Sequence, residues 1–201
     1  MEPHSSRCQD INIEYFSDHL QKQLPKSIQE KDNPGFKRAA VLVPLVCIDD
    51  SWQILFTRRT SDVQTHKGQV SFPGGMMESS DIIPEQAALR ETFEEIGVSP
   101  DLVRILGKLD DYLAISNFIV TPVVGILQWP VEFKLSPDEV SRVFTIPLSW
   151  LADPENHHEE DYRIINGRIE RVVFFRLFDN EKLWGLTARI TIEFLKRMDM
   201  H

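Results

Sequence analysis

Residues 84 to 96 carry the marks of a helix with both ends defined. Pro84 suits the first helical turn and Gly97 the position just past the last one. Ala88, Leu89, Phe93 and Ile96 recur at close to i, i+3 or i+4, i+7, the stripe of a helix laid on a core. Glu91, Glu94 and Glu95 fall at i, i+3 and i+4, so the pattern places three carboxylates together on the opposite face. Like charges so spaced cost roughly 0.2–0.5 kcal/mol per pair. Glu94 and Glu95 also sit in the last turn, where the helix dipole disfavours an anion by roughly 0.3–1 kcal/mol. Arg90 is the one cation close in sequence, and it reaches Glu94 at i+4. The arrangement is locally unfavourable and would be relieved by bound divalent cations. Dense oxygen ligands suit Mg²⁺ or Mn²⁺, and the sequence offers no Cys/His set for zinc. A solvated acidic face is the plain alternative for three glutamates alone. What weighs against it is Gly74-Gly75 ahead of the helix, where a chain can turn sharply and its backbone can approach a phosphate closely.

Around this helix the pattern is mostly β. Residues 39–48 and 52–58 read as strands joined by a hairpin turn at Asp49-Asp50-Ser51. Residues 102–109, 118–129 and 140–146 are β-rich, and Asn166-Gly167 marks a hairpin between 162–165 and 169–175. Ile13, Phe16, Leu20 and Leu24 predict an N-terminal helix over 10–24, with Asp10 as cap and Pro25 as stop, and residues 183–198 a closing one. Few helices among many strands imply a mixed sheet with helices packed on it. The division expected is a helix and connector over 1–35 and one globular domain over 36–201, a size that can bury on the order of 70% of its unfolded surface.

Composition excludes several classes. Hydrophobic residues at 42% and charged residues at 26% are the globular mix, not that of a disordered chain. A net charge of −9 without a basic cluster argues against nucleic acid as a partner, since such binding rests on Lys and Arg against phosphates. No apolar run approaches the ~20 residues of a membrane span, and the N-terminus has no signal-peptide core, so a cytoplasmic location is expected. Cys8 and Cys47 cannot build a disulfide framework, and Cys47, in an apolar run, reads as a small buried hydrophobe.

At Gly75 to Val98 the sequence resembles the Nudix hydrolases, whose signature is Gly-x5-Glu-x7-Arg-Glu-U-x-Glu-Glu-x-Gly-U, with U bulky and apolar. Gly75, Arg90, Glu91, Glu94, Glu95, Gly97 and Val98 match in place. Asp81 stands for the first Glu, eight residues instead of seven separate it from Arg90, and Thr92 occupies a U position. The resemblance implies an α/β/α sandwich with a mixed β-sheet and hydrolysis of a nucleoside diphosphate linked to another moiety. It makes Glu91, Glu94 and Glu95 metal ligands for Mg²⁺ or Mn²⁺, one of them also able to activate water, and Arg90 the residue orienting that face. Metal ions would also explain how a chain of −9 accepts a polyanion. Family members often form homodimers, though no interface is marked in this sequence.

Upstream, residues 55–75 are similar to the motif of the coenzyme A diphosphatases, Leu-Leu-Thr-x-Arg-Ser/Ala-x3-Arg-x3-Gly-x3-Phe-Pro-Gly-Gly. Leu55, Thr57, Arg59, Gly68, Phe72, Pro73, Gly74 and Gly75 match. Gln64 replaces the second Arg and removes a charge that could meet a phosphate; Arg58, His66 and Lys67 are nearby cations. Trp184-Gly-Leu-Thr187 also looks like this subfamily. The resemblance implies a CoA-like nucleotide conjugate as substrate, with Arg59, Lys67, Gly74 and Gly75 on the substrate side, and cleavage to 3′,5′-ADP and 4′-phosphopantetheine or its acyl form. Gln64 keeps ADP-ribose or NADH open as alternatives. A sensor that lost catalysis is the rival of another class, against which the intact Glu91, Glu94 and Glu95 count. Glu139 resembles a loop carboxylate that many Nudix enzymes place over the metal site, as general base or further metal contact. His157-His158-Glu159-Glu160 reads as a solvated polar loop, and Trp150, Phe174, Phe175 and Trp184 as core residues rather than stacking platforms.

Overall fold

The structure, a computed structural model, describes residues 7–60, 68–163 and 169–201. Lys67, His66 and Gln64, and the expected Asn166-Gly167 turn, lie outside the described residues.

The long apolar run becomes strand β1 (Lys37–Ile48), which turns through Asp49 and Asp50, both at positive φ, into the antiparallel β2 (Ser51–Arg59). Short strands β3 (Val70–Ser71) and β4 (Gly74–Met76) follow, then helix α2 (Pro84–Ile96). After it come β5 (Val103–Lys108), β6 (Tyr112–Ala114), β7 (Phe118–Leu127) and β8 (Val140–Pro147). The main sheet runs β3-β2-β1-β7-β5, with β4 paired to β1, β6 to β7 and β8 to β2. The β1–β7 pair is parallel, across the crossover that contains α2, and the others are antiparallel, so the sheet is mixed as expected. Beyond it lie helix α3 (Leu148–Leu151), the hairpin β9 (His157–Arg163) and β10 (Ile169–Phe175), and helix α4 (Gly185–Arg197).

Strand periodicity explains the layers. Successive β1 side chains point to opposite faces, so Val43 and Leu45 join one core cluster while Ala40, Leu42 and Val46 join another. The second cluster is closed by Ala87, Ala88 and Ile96 of α2. The first is closed by Ala188, Phe194 and Leu195 of α4 and by Phe16 and Leu20 of helix α1 (Ile13–Gln21). A sheet apolar on both faces with helices on both is the α/β/α sandwich.

Four expectations change. Asn12, not Asp10, caps α1, its side chain accepting from the Tyr15 amide at 2.9 Å. Cys47 is disulfide-bonded to Cys8, tying the segment before α1 to the end of β1. His157, His158, Glu159 and Glu160 lie on strand β9, not in a loop, because Phe174 and Phe175 of β10 give that segment a pairing partner. On α2 the buried side is Ala87, Ala88, Thr92, Glu95 and Ile96, while Phe93 is exposed. Thr92 tolerates an apolar position because its hydroxyl donates to the Ala88 carbonyl at 2.6 Å.

Candidate active site

Pairing β4 to β1 sets Gly75 opposite Ala40 and brings the glycine turn under the α2 carboxylates. A Cβ on Gly75 would lie 2.5 Å from the Glu91 carboxyl carbon, and one on Gly74 2.4 Å from the Ala40 carbonyl oxygen. Glycine is required at Gly74 by the neighbouring strand and a φ of +149°, whereas at Gly75 a Cβ would displace the end of the Glu91 side chain.

Glu95 is the buried member of the acidic face, 4% exposed. Its Oε2 accepts from the Gly74 amide at 3.2 Å, and Arg59 Nη1 lies 3.8 Å from Oε1. Burial pushes its carboxyl up to about 8, helped by the charges of Glu139 and Glu91 and opposed by the Gly74 amide and Arg59. Glu91 is raised in the same direction, again by burial first, with Arg90 opposing. Glu95 lies on the buried side of α2, its carboxyl against Gly74 and Arg59, and at the helix end the Lys134 and Ser136 amides donate to the carbonyls of Ile96 and Glu95. This contact between distant segments has no counterpart in the helical pattern of α2 itself.

Arg90 organises the remainder. Its Nη1 lies 2.9 Å from Glu91 Oε1 and 3.0 Å from Glu94 Oε2, while Nη2 donates to the Met76 carbonyl and to Asp81 Oδ2, both at 3.0 Å. Asp81, held by the Glu78 amide at 2.8 Å, sits well below the usual carboxylate range, chiefly through the Arg90 hydrogen bond. The extra residue between Asp81 and Arg90 therefore does not prevent a carboxylate before the helix from anchoring the arginine. That role was legible only as a conservative change in the signature.

Glu139 is exposed on the loop before β8, close enough for its charge to act on both Glu91 and Glu95. Its carbonyl accepts from the Thr60 amide at 3.0 Å, fixing this loop beside the end of β2. Glu94 is half exposed and turned to Arg90. Among the described residues no three His, Cys, Asp or Glu side chains converge as a ready-made metal cage. A cation nonetheless suits Glu91 and Glu95: two carboxyls one helical turn apart, each disfavoured in its charged form by burial and by the charge of Glu139, are an oxygen-rich site that a cation would relieve.

Next to this face lies a cavity of about 700 Å³ between the sheet on one side and β10 and the start of α4 on the other. Arg59, Gly74 and Gly75 line it, so three of the four substrate-side residues named from the sequence share one space, the fourth being Lys67. The Arg59 Nε is buried without a hydrogen-bond partner among the described residues. Sequence reasoning missed Trp184, a cavity wall rather than a core residue, together with Tyr112 and Arg189. A tryptophan with Phe174 parallel to it at 5.7 Å carries no mark in the sequence of which side is open.

The NUDIX domain model matches residues 36–167, and the chain belongs to the Nudix family. The Nudix hydrolase NudL of Enterobacter sp. (strain 638) is 35% identical over 191 residues, covering 95% of this chain and 97% of that protein. NudL of Pectobacterium atrosepticum is 35% identical over 175 residues, covering 87% and 88%. This protein is a Nudix hydrolase. Among solved structures, a MutT/nudix family protein from Enterococcus faecalis aligns over 95% of this chain and 71% of its own, with a TM-score of 0.55 and 16% identity. The Nudix hydrolase RenU from M. smegmatis covers 58% of this chain and 74% of its own, with a TM-score of 0.50 and 20% identity. Both likenesses speak to the fold.

Proposed function

We propose that this Nudix hydrolase cleaves the diphosphate of coenzyme A or its thioesters, giving 3′,5′-ADP and 4′-phosphopantetheine or its acyl form. The observation that carries the reading is Arg59. It is a motif position, it lines the cavity, it stands 3.8 Å from Glu95, and its Nε has no hydrogen-bond partner among the described residues. An arginine so placed is a donor for a substrate phosphate.

Glu91, Glu94 and Glu95 would hold Mg²⁺ or Mn²⁺, which when bound neutralises the diphosphate and lowers the pKa of the attacking water. The protein's own part is positional. Arg90, anchored by Asp81, restrains Glu91 and Glu94. The Gly74 amide orients Glu95, and Gly75, which lines the cavity, leaves room for the Glu91 carboxylate. Glu95 or Glu139 takes the proton of the attacking water. Lys67 is assigned to the substrate side with Arg59 as a nearby cation in place of the charge that Gln64 removes.

We also take residues 36–201 as the Nudix domain, with 1–35 as a helix and connector that closes one core cluster. Among the described residues no helix is long and apolar enough to cross a membrane. A cytoplasmic site of action would leave Cys8 and Cys47 reduced, with α1 still held by Phe16 and Leu20 and by the Trp52 Nε1 bond to the Ile11 carbonyl at 2.7 Å.

The test is incubation with CoA and MgCl₂ or MnCl₂, with mass spectrometry of the products. The expected result is 3′,5′-ADP and 4′-phosphopantetheine, abolished by EDTA. Turnover of ADP-ribose or NADH with CoA intact would assign the site to another nucleotide conjugate and implicate Gln64.

A further inference from the structure

Among the described residues three arginines line the large cavity. Arg59 faces Glu95 at 3.8 Å and Arg171 faces Glu159 at 3.1 Å. Arg189, on the second turn of α4, has neither an ion pair nor a hydrogen bond among the described residues. The Arg189 guanidinium, on an exposed residue at the cavity wall, offers five donors in a planar fork that matches a phosphate.

Its position separates it from the metal face. Met76 of β4, Ala39 of β1, Val120 of β7 and Tyr112 of β6 form one row across the sheet. Three strand spacings put Tyr112 roughly 14 Å from β4 and on the α4 face, whereas Glu91 lies over Gly75 on the α2 face. Tyr112 shares the cavity with Arg189 and is close enough for that charge to act on its phenol. Burial above all, and Glu193 next, push the phenol up, with Arg189 opposing, so the hydroxyl keeps its proton as a second donor.

We propose that Arg189, with the Tyr112 hydroxyl beside it, binds a phosphomonoester that the substrate carries apart from its scissile diphosphate. This rests on the CoA reading, under which that group is the 3′-phosphate of the 3′-phosphoadenosine half. ADP-ribose and NADH have no such group, so the same contact sets the substrate class: 3′-phosphorylated nucleotide conjugates over those that lack the phosphate.

The experiment compares CoA with 3′-dephospho-CoA in the Mg²⁺-loaded wild type, Arg189→Met and Arg189→Lys, with 3′,5′-ADP and 5′-AMP titrated into the metal-free proteins. The wild type should favour CoA in kcat/KM by about 10- to 100-fold, mostly through KM, the range of a charged hydrogen-bonded contact. Arg189→Met should bring the two substrates within about twofold of each other, and Arg189→Lys should restore part of the preference. The wild type should bind 3′,5′-ADP more tightly than 5′-AMP, and Arg189→Met should lose that difference. A wild-type preference that survives Arg189→Met, or equal losses on both substrates, overturns the assignment while the CoA reading stands. A wild type that hydrolyses ADP-ribose but neither CoA nor dephospho-CoA overturns the CoA reading and this inference with it.

Discussion

Gly75→Ala isolates the geometry of the acidic face from the stability of the fold. The added methyl would sit 2.5 Å from the Glu91 carboxyl carbon and 2.5 and 2.6 Å from its oxygens, where ordinary contact begins at 3.4 Å. The carboxylate must therefore retreat by about 0.9 Å. Gly75 has no positive φ, so the backbone accepts alanine, and what yields is the end of a side chain. The folding cost should stay at the low end of the ~1–3 kcal/mol of overpacking. The catalytic cost should be far larger, because misplacing a reacting group by about 1 Å costs on the order of 10²-fold. Gly74→Ala is the contrast: its methyl meets the Ala40 carbonyl oxygen at 2.4 Å with φ at +149°, so the strand pairing itself must give. The assay pairs initial rates on CoA with Mg²⁺ against thermal melts. Gly75→Ala should keep a melt near wild type and lose about 100-fold in kcat/KM, whereas Gly74→Ala should lose stability outright. Wild-type kcat/KM in a folded Gly75→Ala protein would refute a role for Glu91 at the reacting centre.

Three further outcomes follow from the same contacts. The Glu95 carboxyl, pushed up to about 8 by burial, keeps in the folded chain a proton that the unfolded chain releases near 4.5. The Glu95 contribution to the stability of the metal-free protein is therefore most favourable below that lower value and is lost as pH rises through about 8, by a few kcal/mol in order of magnitude. Denaturant titrations across pH should show this slope in wild type and not in Glu95→Gln, and added Mg²⁺ should stabilise wild type more than the variant; Glu95→Gln should also lose at least 10²-fold in turnover. Asp81→Asn releases the charged anchor of Arg90 and should lower kcat about tenfold with a folding cost of roughly 1–3 kcal/mol, read by kinetics beside chemical denaturation. Cys8→Ser opens a disulfide spanning 39 residues, for which chain entropy sets a ceiling of about 4 kcal/mol; the melt should fall by several degrees while kcat/KM holds, because Cys47 lies at the far end of β1 from Ala39 and Ala40 beside β4.

What could be read along the chain is what local spacing controls. The limits of α2 follow from Pro84 and Gly97, the β1–β2 hairpin from Asp49-Asp50-Ser51, and the family from the run of residues between Gly75 and Val98. The grouping of Glu91, Glu94 and Glu95 needs only the helical period. Tertiary contact decided how unlike one another they become. Glu95 is buried with its carboxyl against Gly74 and Arg59, and Glu94 turns outward to an Arg90 anchored by Asp81. The disulfide, the strand character of His157 to Glu160, and the turning of Trp184 and Arg189 towards a shared cavity likewise join segments far apart in sequence. Helical and strand periods specify which side chains share a face of one element. Which face is dry, which charge is left without a partner, and what a missing Cβ makes room for depend on the second element packed against it, which no local pattern encodes.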